Sequence, residues 1–357
     1  MKRSLYSRGS RLVAWLGAIL VGCVSLSAQP ASPAVESLLQ KGRQALEADD
    51  FSSAAQAFEQ ARQHAPENRD AWRGLLLSYL RGKEPAKAVA VGREGVARWP
   101  QDGELHHWLG QALFQSGEKE PAIKHLRRAG ELTPKRSEVH FDLALVYLSD
   151  RKYKLAAEKL ETAVRLQPNF ALAHLLLGRA YQNTNRTVPA IEQFKTALRL
   201  DPAIPLGHYH LGFAYESLGR NAEAIAEFKK ELARQGGLAR RQDTPEVFYR
   251  LGHALLETGR YAEAAENLRQ AVRLAPRDAE AQYDLGKALL MLGDAAAAIL
   301  TLRQAIALKP DDARAHYQLA RALQKVGERA EAEKELQRFA ELKKRQQESG
   351  GMAYRPN

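Results

Sequence analysis

Apolar residues along most of the chain recur at three- and four-residue intervals, the signature of amphipathic helices. The pattern also repeats on a longer scale. Starting from Ala54 and stepping 34 residues, alanine recurs at Ala88, Ala122, Ala156, Ala190 and Ala224. After one step of 40 it resumes at Ala264, Ala298 and Ala332. Twelve residues before each alanine stand Gly42, Leu76, Gly110, Ala144, Gly178, Gly212, Gly252, Gly286 and Ala320. Leucine precedes that position in every copy but the first, at Leu75, Leu109, Leu143, Leu177, Leu211, Leu251, Leu285 and Leu319. Twelve residues after the alanine, proline closes seven copies, at Pro66, Pro100, Pro134, Pro168, Pro202, Pro276 and Pro310. Such self-similarity predicts a stack of nine helical pairs, each burying its open face on the next.

These columns resemble the tetratricopeptide repeat, with its small residue in the first helix (A), its alanine in the second (B) and its closing proline. The resemblance covers residues 35–346 and implies an all-α fold, a right-handed α-α superhelix (solenoid) of nine helical hairpins starting near 35, 69, 103, 137, 171, 205, 245, 279 and 313. Glycine in the hairpin turns (Gly117, Gly219, Gly259, Gly293, Gly327) suits the left-handed backbone that ends a helix. Glycine inside helix A costs about 1 kcal/mol against alanine. We expect it where helix B approaches closely, with the recurring alanine as the facing small residue. Leucine and the aromatics Phe58, Tyr147, Tyr181, Phe194, Tyr215 and Phe228 fill the remaining core. Proline stops helix B and disfavours helix at the residue before it. Repeat two departs: Leu76 holds the small-residue column, whereas Gly92 and Gly95 stand where bulk is usual. This reads either as a volume-preserving swap or as a loosely packed repeat.

The 40-residue step inserts six residues near 239–244, within Gln235-Gly236-Gly237-Leu238-Ala239-Arg240-Arg241-Gln242-Asp243-Thr244-Pro245. It is either a flexible basic hinge or a tolerated surface insertion. The last helix turns polar (Glu333, Lys334, Glu335, Arg338, Lys343), as a terminal cap should. Residues 347–357 read as a disordered tail and 29–34 as a short tether.

The first 28 residues are of another kind. Lys2, Arg3, Arg8 and Arg11 precede an apolar stretch, Leu12 to Gly22, and then the small residues Ser25, Ser27 and Ala28. That is the layout of a secretory signal, and the stretch is short of the roughly 20 residues of a membrane span. Cys23, the only cysteine, closes Leu20-Val21-Gly22-Cys23. This resembles the bacterial lipobox, which implies a diacylated Cys23 and a membrane contact through the lipid; the alternative is plain cleavage after Ala28. A single cysteine excludes an internal disulfide, and a lone thiol is a hazard in an oxidising compartment unless consumed. The predicted location is the periplasmic face of a cell envelope, lipid-anchored or, on the alternative, soluble or secreted. Removing residues 1–23 takes four of the 53 Lys and Arg and none of the 42 Asp and Glu, lowering the formal charge from +11 to +7. So mild a surplus in an exported chain argues against nucleic acid as partner.

Chemistry is sparse. His106, His140, His174, His208 and His316 share one column. Equivalent atoms of stacked helices lie about 8–10 Å apart, too far to share one metal. The family often places Trp here, as Trp72 does, so packing is the expected role and charge sensing the alternative. No cofactor, metal or catalytic constellation is predicted.

The resemblance places helix A along the concave surface. Its most prominent column there runs Phe141, Leu175, Tyr209, Tyr249, Tyr283, Tyr317, followed one turn later by Leu145, Arg179, Phe213, His253, Lys287, Arg321, and then by Gln182, Glu216, Leu256, Leu290, Gln324. Tyr and Arg are enriched at binding hot spots. The candidate groove is therefore Phe141, Arg179, Tyr209, Phe213, Tyr249, His253, Tyr283, Lys287, Tyr317 and Arg321, suited to an acidic peptide or protein segment. General packing is the competing role for the tyrosines. The expected function is an exported interaction scaffold organising an envelope complex. A self-associating scaffold, its oligomeric state open, and the targeting arm of a separate enzyme are the alternatives.

Overall fold

A computed structural model describes residues 32–234 and 244–352. The signal region with Cys23, the first half of the tether, most of the insertion and the last five residues lie outside the described residues. Contacts divide the chain into two compact units, Met1–Gly82 and Lys83–Asn357.

The first unit contains α1 (Pro33–Glu47), α2 (Phe51–His64) and α3 (Arg69–Arg81). The second contains α4 (Pro85–Arg98), then the hairpins α5 (Gly103–Gln115) and α6 (Lys119–Leu132), α7 (Ser137–Ser149) and α8 (Tyr153–Leu166), α9 (Ala171–Gln182) and α10 (Thr187–Leu200). It continues with α11 (Gly207–Glu216) and α12 (Asn221–Arg234), α13 (Thr244–Glu257) and α14 (Tyr261–Leu274), α15 (Ala279–Met291) and α16 (Ala295–Leu308), α17 (Ala313–Lys325) and α18 (Arg329–Met352). No strand occurs among the described residues. The fold is all-α, and within the second unit each helix packs on the one before and the one after it.

Each sequence column has a physical counterpart. The nine alanines are all at most 1% exposed, and the leucines beside the small-residue column at most 5%. Before each closing proline the residue leaves the helix: Ala65, Trp99, Thr133, Gln167, Asp201, Ala275 and Lys309 have φ between −125° and −140° and positive ψ. The pyrrolidine ring forbids helix there. The five turn glycines adopt φ of +70° to +90°, closed by Schellman bonds such as Glu118 N–H to Leu113 O at 2.9 Å.

One expectation is corrected. The glycine of helix A faces the bulky residue four places after the alanine, not the alanine side chain. A Cβ on Gly178 would stand 2.5–2.9 Å from the Phe194 ring, and one on Gly110, Gly252 or Gly286 would stand 2.6 Å from Leu126, Leu268 or Leu302. The glycine is a pit that receives a ring or a branched side chain. In α4, Gly92 and Gly95 lie against Leu109 and Leu105 of the following helix, which occupy the room the glycines leave.

Helix α18 also runs past the expected end at 346, to Met352. Lys343, Lys344, Arg345, Gln346 and Gln347 are all good helix formers, and no proline interrupts the chain before Pro356.

Candidate protein-interaction surface

Neighbouring A helices of the second unit touch side by side. Their outward side chains therefore meet across repeats, and each neighbour decides how much of a predicted contact residue remains open.

At one end the columns are closed. Phe141 is 8% exposed and packs on Phe170 with ring centroids 4.6 Å apart. Asp142 receives the imidazole Nε2 of His107 at 2.6 Å and also the amide of Gln111, so α5 and α7 are tied by polar bonds. Toward the other end, Tyr283 is 9% exposed, with the Arg314 guanidinium 4.7 Å above its ring. Phe141 and Tyr283 are thus mainly packing residues. Lys287 pairs with Glu257 at 3.1 Å, Arg321 donates to Gln318 at 3.2 Å, and the 41%-exposed Tyr317 leans on Phe339 at 5.2 Å.

Between these ends, α9, α11 and α13 carry a more open aromatic ledge. Tyr209, Phe213, Tyr249 and His253 are all half-buried and Arg179 is exposed. The Tyr209 and Phe213 rings are nearly parallel, 6.5 Å apart. Burial pushes the Tyr209 phenol up to about 12 and raises that of Tyr249 as well, so both are hydrogen-bonding hydroxyls at neutral pH.

Arg250, one place beyond Tyr249, organises the ledge. Its guanidinium lies 4.8 Å over Phe213 and 5.6 Å from Tyr249. It donates to Glu246 at 2.8 Å and to Glu216 at 3.4 Å, which joins α13 to α11. Burial raises the Glu216 carboxyl, and its Oε1 is enclosed without a hydrogen-bond partner. His253 Nδ1 meets Asp284 at 2.8 Å, and this bond holds the imidazole above its ordinary value. Arg250, Glu216 as its acceptor, and Asp284 were missed as a network. The available signal was the column just before the buried leucine, which turns polar at Asp142, His210, Arg250, Asp284 and Gln318.

The histidine column is structural. Nε2 of His106, His140, His174 and His316 each lies 3.0–3.2 Å from the carbonyl of the proline six residues earlier. Trp72 makes the same bond at 2.8 Å and Gln282 at 3.4 Å. The second ring nitrogen of His106, His174, His208 and His316 meets helix B nineteen residues on, at His125, Gln193, Glu227 and Glu335. Among the described residues no group of three or more His, Cys, Asp or Glu is placed to hold a metal ion, and no helix is long and apolar enough to cross a membrane.

Within the second unit, helices paired through left-handed turns, most pairs closed by proline and each packed on the next, define a helical-hairpin repeat protein. Family models described as tetratricopeptide repeat match residues 39–103, 141–188 and 249–316, and further ones match 103–136, 205–277 and 289–347. The chain belongs to the tetratricopeptide repeat family. No curated protein matches it in sequence. Among solved structures it is similar to the APC/C hetero-tetramer Cut9-Hcn1, 20% identical over 84% of this chain and 57% of that one, with a TM-score of 0.50. It therefore spans little more than half the length of that relative. It is also similar to the C-terminal part of a TPR repeat-containing protein from Cytophaga hutchinsonii, 15% identical over 69% of this chain and 99% of that one, with a TM-score of 0.56. A third is YrrB, a TPR protein described as having an unusual peptide-binding site, 23% identical over 52% and 93% with a TM-score of 0.47. At these identities the likeness is one of fold. Family and fold support a protein-interaction scaffold.

Proposed function

We propose that this chain is an exported scaffold, anchored through a lipid on Cys23 at the periplasmic face of a cell envelope, that holds an extended segment of a partner protein and so helps organise an envelope complex. The observation that carries the binding reading is the ledge on α9, α11 and α13. Tyr209, Phe213 and Tyr249 present half-open rings stiffened by Arg250, and Arg179 stands exposed beside them with no ion-pair partner among the described residues. Rings held in place lose little entropy on binding, and Tyr and Arg dominate hot spots. Arg250 is already neutralised by Glu216 and Glu246, so Arg179 is the cation left to meet an acidic group. The export reading rests on the signal-like first 28 residues and on Cys23.

The test is site-specific photo-crosslinking in the native cell, with the probe at Phe213 or Tyr249 and a control probe at exposed Glu266. A discrete adduct from the ledge alone, lost when Arg179→Glu is added, supports the reading. Equal adducts at the control, or none, defeat it. Cys23→Ala tests the anchor: acyl labelling should vanish and the protein should leave the membrane fraction, and unchanged membrane association would end the lipobox reading. Light scattering of the 29–357 fragment separates self-association, which requires more than a monomer at micromolar concentration.

A further inference from the structure

A second concavity lies away from the ledge, between the hairpins α5–α6 and α7–α8. It encloses about 640 Å³, within the range of small-ligand sites. Ile123 of α6, Leu155 of α8 and the ring of Tyr147 give it apolar walls. Lys124, Arg127, Arg128 and Lys152 stand around it with the carboxylates Glu120 and Glu131, and Lys152 is already held by Asp150 at 2.6 Å. Glu131 is already held by Arg128 at 2.8 Å. Lys124 is exposed and has no ion-pair partner among the described residues. Arg127 donates from Nε to the Tyr147 hydroxyl at 2.9 Å, which fixes the guanidinium and leaves its two terminal nitrogens free of any bond in that pair.

A flat imidazole pair completes the lining. His106 Nε2 faces the Pro100 carbonyl at 3.2 Å, an acceptor only, so that nitrogen carries the proton. His106 Nδ1 is then the acceptor for His125 Nδ1–H at 2.9 Å, and the two rings stack at 5.1 Å. Burial, with the neighbouring His106 second, lowers His125 to about 4. The pair is neutral at pH 7 and offers a planar face rather than a charge.

We infer that this cavity binds a small amphipathic organic anion, its flat apolar body against the imidazole pair, Ile123, Leu155 and Tyr147, and its carboxylate or sulfonate against Lys124 and Arg127. An apolar wall supplies affinity and a few fixed polar groups supply selectivity. Lys124 and Arg127 are exposed, so solvent screens their attraction for the anion, and they select for charge while the apolar wall holds the body. Among the described residues no other repeat brings a helix-A imidazole against a second imidazole of its own helix B; the partners of His174, His208 and His316 there are Gln193, Glu227 and Glu335. The site therefore belongs to this pair of hairpins and is independent of the ledge.

The test uses the full chain and two fluorescent probes of one shape: 8-anilinonaphthalene-1-sulfonate, and N-phenyl-1-naphthylamine, which lacks the sulfonate. The expected result is one saturable sulfonate site per chain, at least tenfold tighter than for the neutral probe. Lys124→Glu, on an exposed position, should weaken the anion tenfold or more and the neutral probe less than twofold. Leu155→Trp should fill the cavity and abolish both, with circular dichroism confirming the helices. Leu300→Ser, at a 65%-exposed leucine on another hairpin, should change neither. Equal affinity for the two probes, insensitivity to Lys124→Glu in a folded chain, sensitivity to Leu300→Ser or absence of saturable binding would each overturn the proposal.

Discussion

At the residue scale the hairpin turns offer a direct experiment. Gly117, Gly219, Gly259, Gly293 and Gly327 take the left-handed backbone without a Cβ, but Asp49, Lys83, Arg151 and Asn185 take it at the same place with φ of +53° to +60°. A side chain in that region costs about 1–2 kcal/mol, partly offset because glycine loosens the unfolded chain. Arg151→Gly should therefore stabilise the protein by about 0.5–1 kcal/mol, read as a higher urea midpoint. Asn185→Gly should gain less, because asparagine tolerates this conformation. Buried imidazoles give a second prediction at this scale. Burial lowers His125 to about 4 and His210 to about 3, both below the unfolded value near 6.5. Above that value neither state is protonated. As the pH falls from 6.5 toward 4, the unfolded chain takes up protons the native chain resists, and stability is lost. His253 has the opposite sign: its raised value contributes stability below pH 6.5 that fades as the pH climbs through it. His210 rests on the Phe194 ring at 5.7 Å, so His210→Phe should fit and should remove about 1–2 kcal/mol of the acid loss at pH 4. Urea midpoints at pH 4, 6.5 and 8 decide it, and an unchanged slope would mean that His210 titrates freely.

At the element scale the sequence was legible in period but not in stagger. Spacing alone identified helix pairs, their order and the buried columns, because a helical face is a matter of counting residues. Which residue of helix B drops into the glycine pit depends on the axial offset of two helices, and there the expectation was wrong by one turn: Phe194 meets Gly178, where Ala190 was expected. The binding columns divide in the same way. Counting places Tyr209, Tyr249 and Tyr283 on one face, but Tyr283, beneath Arg314 of the next repeat, is 9% exposed, while Phe213 and Tyr249 stay half-buried even with Arg250 against their rings. The bond of the column histidines to the proline six residues back is a feature of turn geometry that no periodicity encodes. That bond, with its Trp72 and Gln282 counterparts, links the start of α3, α5, α7, α9, α15 and α17 to the preceding turn. His140 tests it cleanly, since its ring makes one such bond, to Pro134 O at 3.1 Å. His140→Phe should cost about 0.5–1.5 kcal/mol. His140→Trp should recover most of it, because Trp72 makes the equivalent bond in its own repeat. A tryptophan variant as unstable as the phenylalanine one would assign the column to ring packing alone.

At the scale of the whole second unit, contacts run almost entirely between successive helices and between neighbouring A helices. No long-range layer shares the load, so stability should be a sum of hairpin terms and nearest-neighbour interfaces. Such an array responds to damage locally, in contrast to a single-core domain that unfolds as a unit. Gly178→Ala is a suitable lesion, because its Cβ would meet the Phe194 ring at 2.5 Å and the buried ring has little room to move. Overpacking of this kind costs about 1–3 kcal/mol. Amide hydrogen exchange resolved by peptide should show faster opening in α9 and α10 and in α8 and α11, which they touch. Helices α15 to α18 should keep their protection to within about 0.5 kcal/mol. Uniform loss across all of these helices would instead mean that the repeats open cooperatively, and a substitution anywhere in the stack would then reach the ledge on α9, α11 and α13. Local loss would confine a lesion to its own hairpin and the next, so that a substitution in α15 to α18 leaves the ledge and the cavity between α5–α6 and α7–α8 unaltered, which is the property a scaffold with separate binding sites requires.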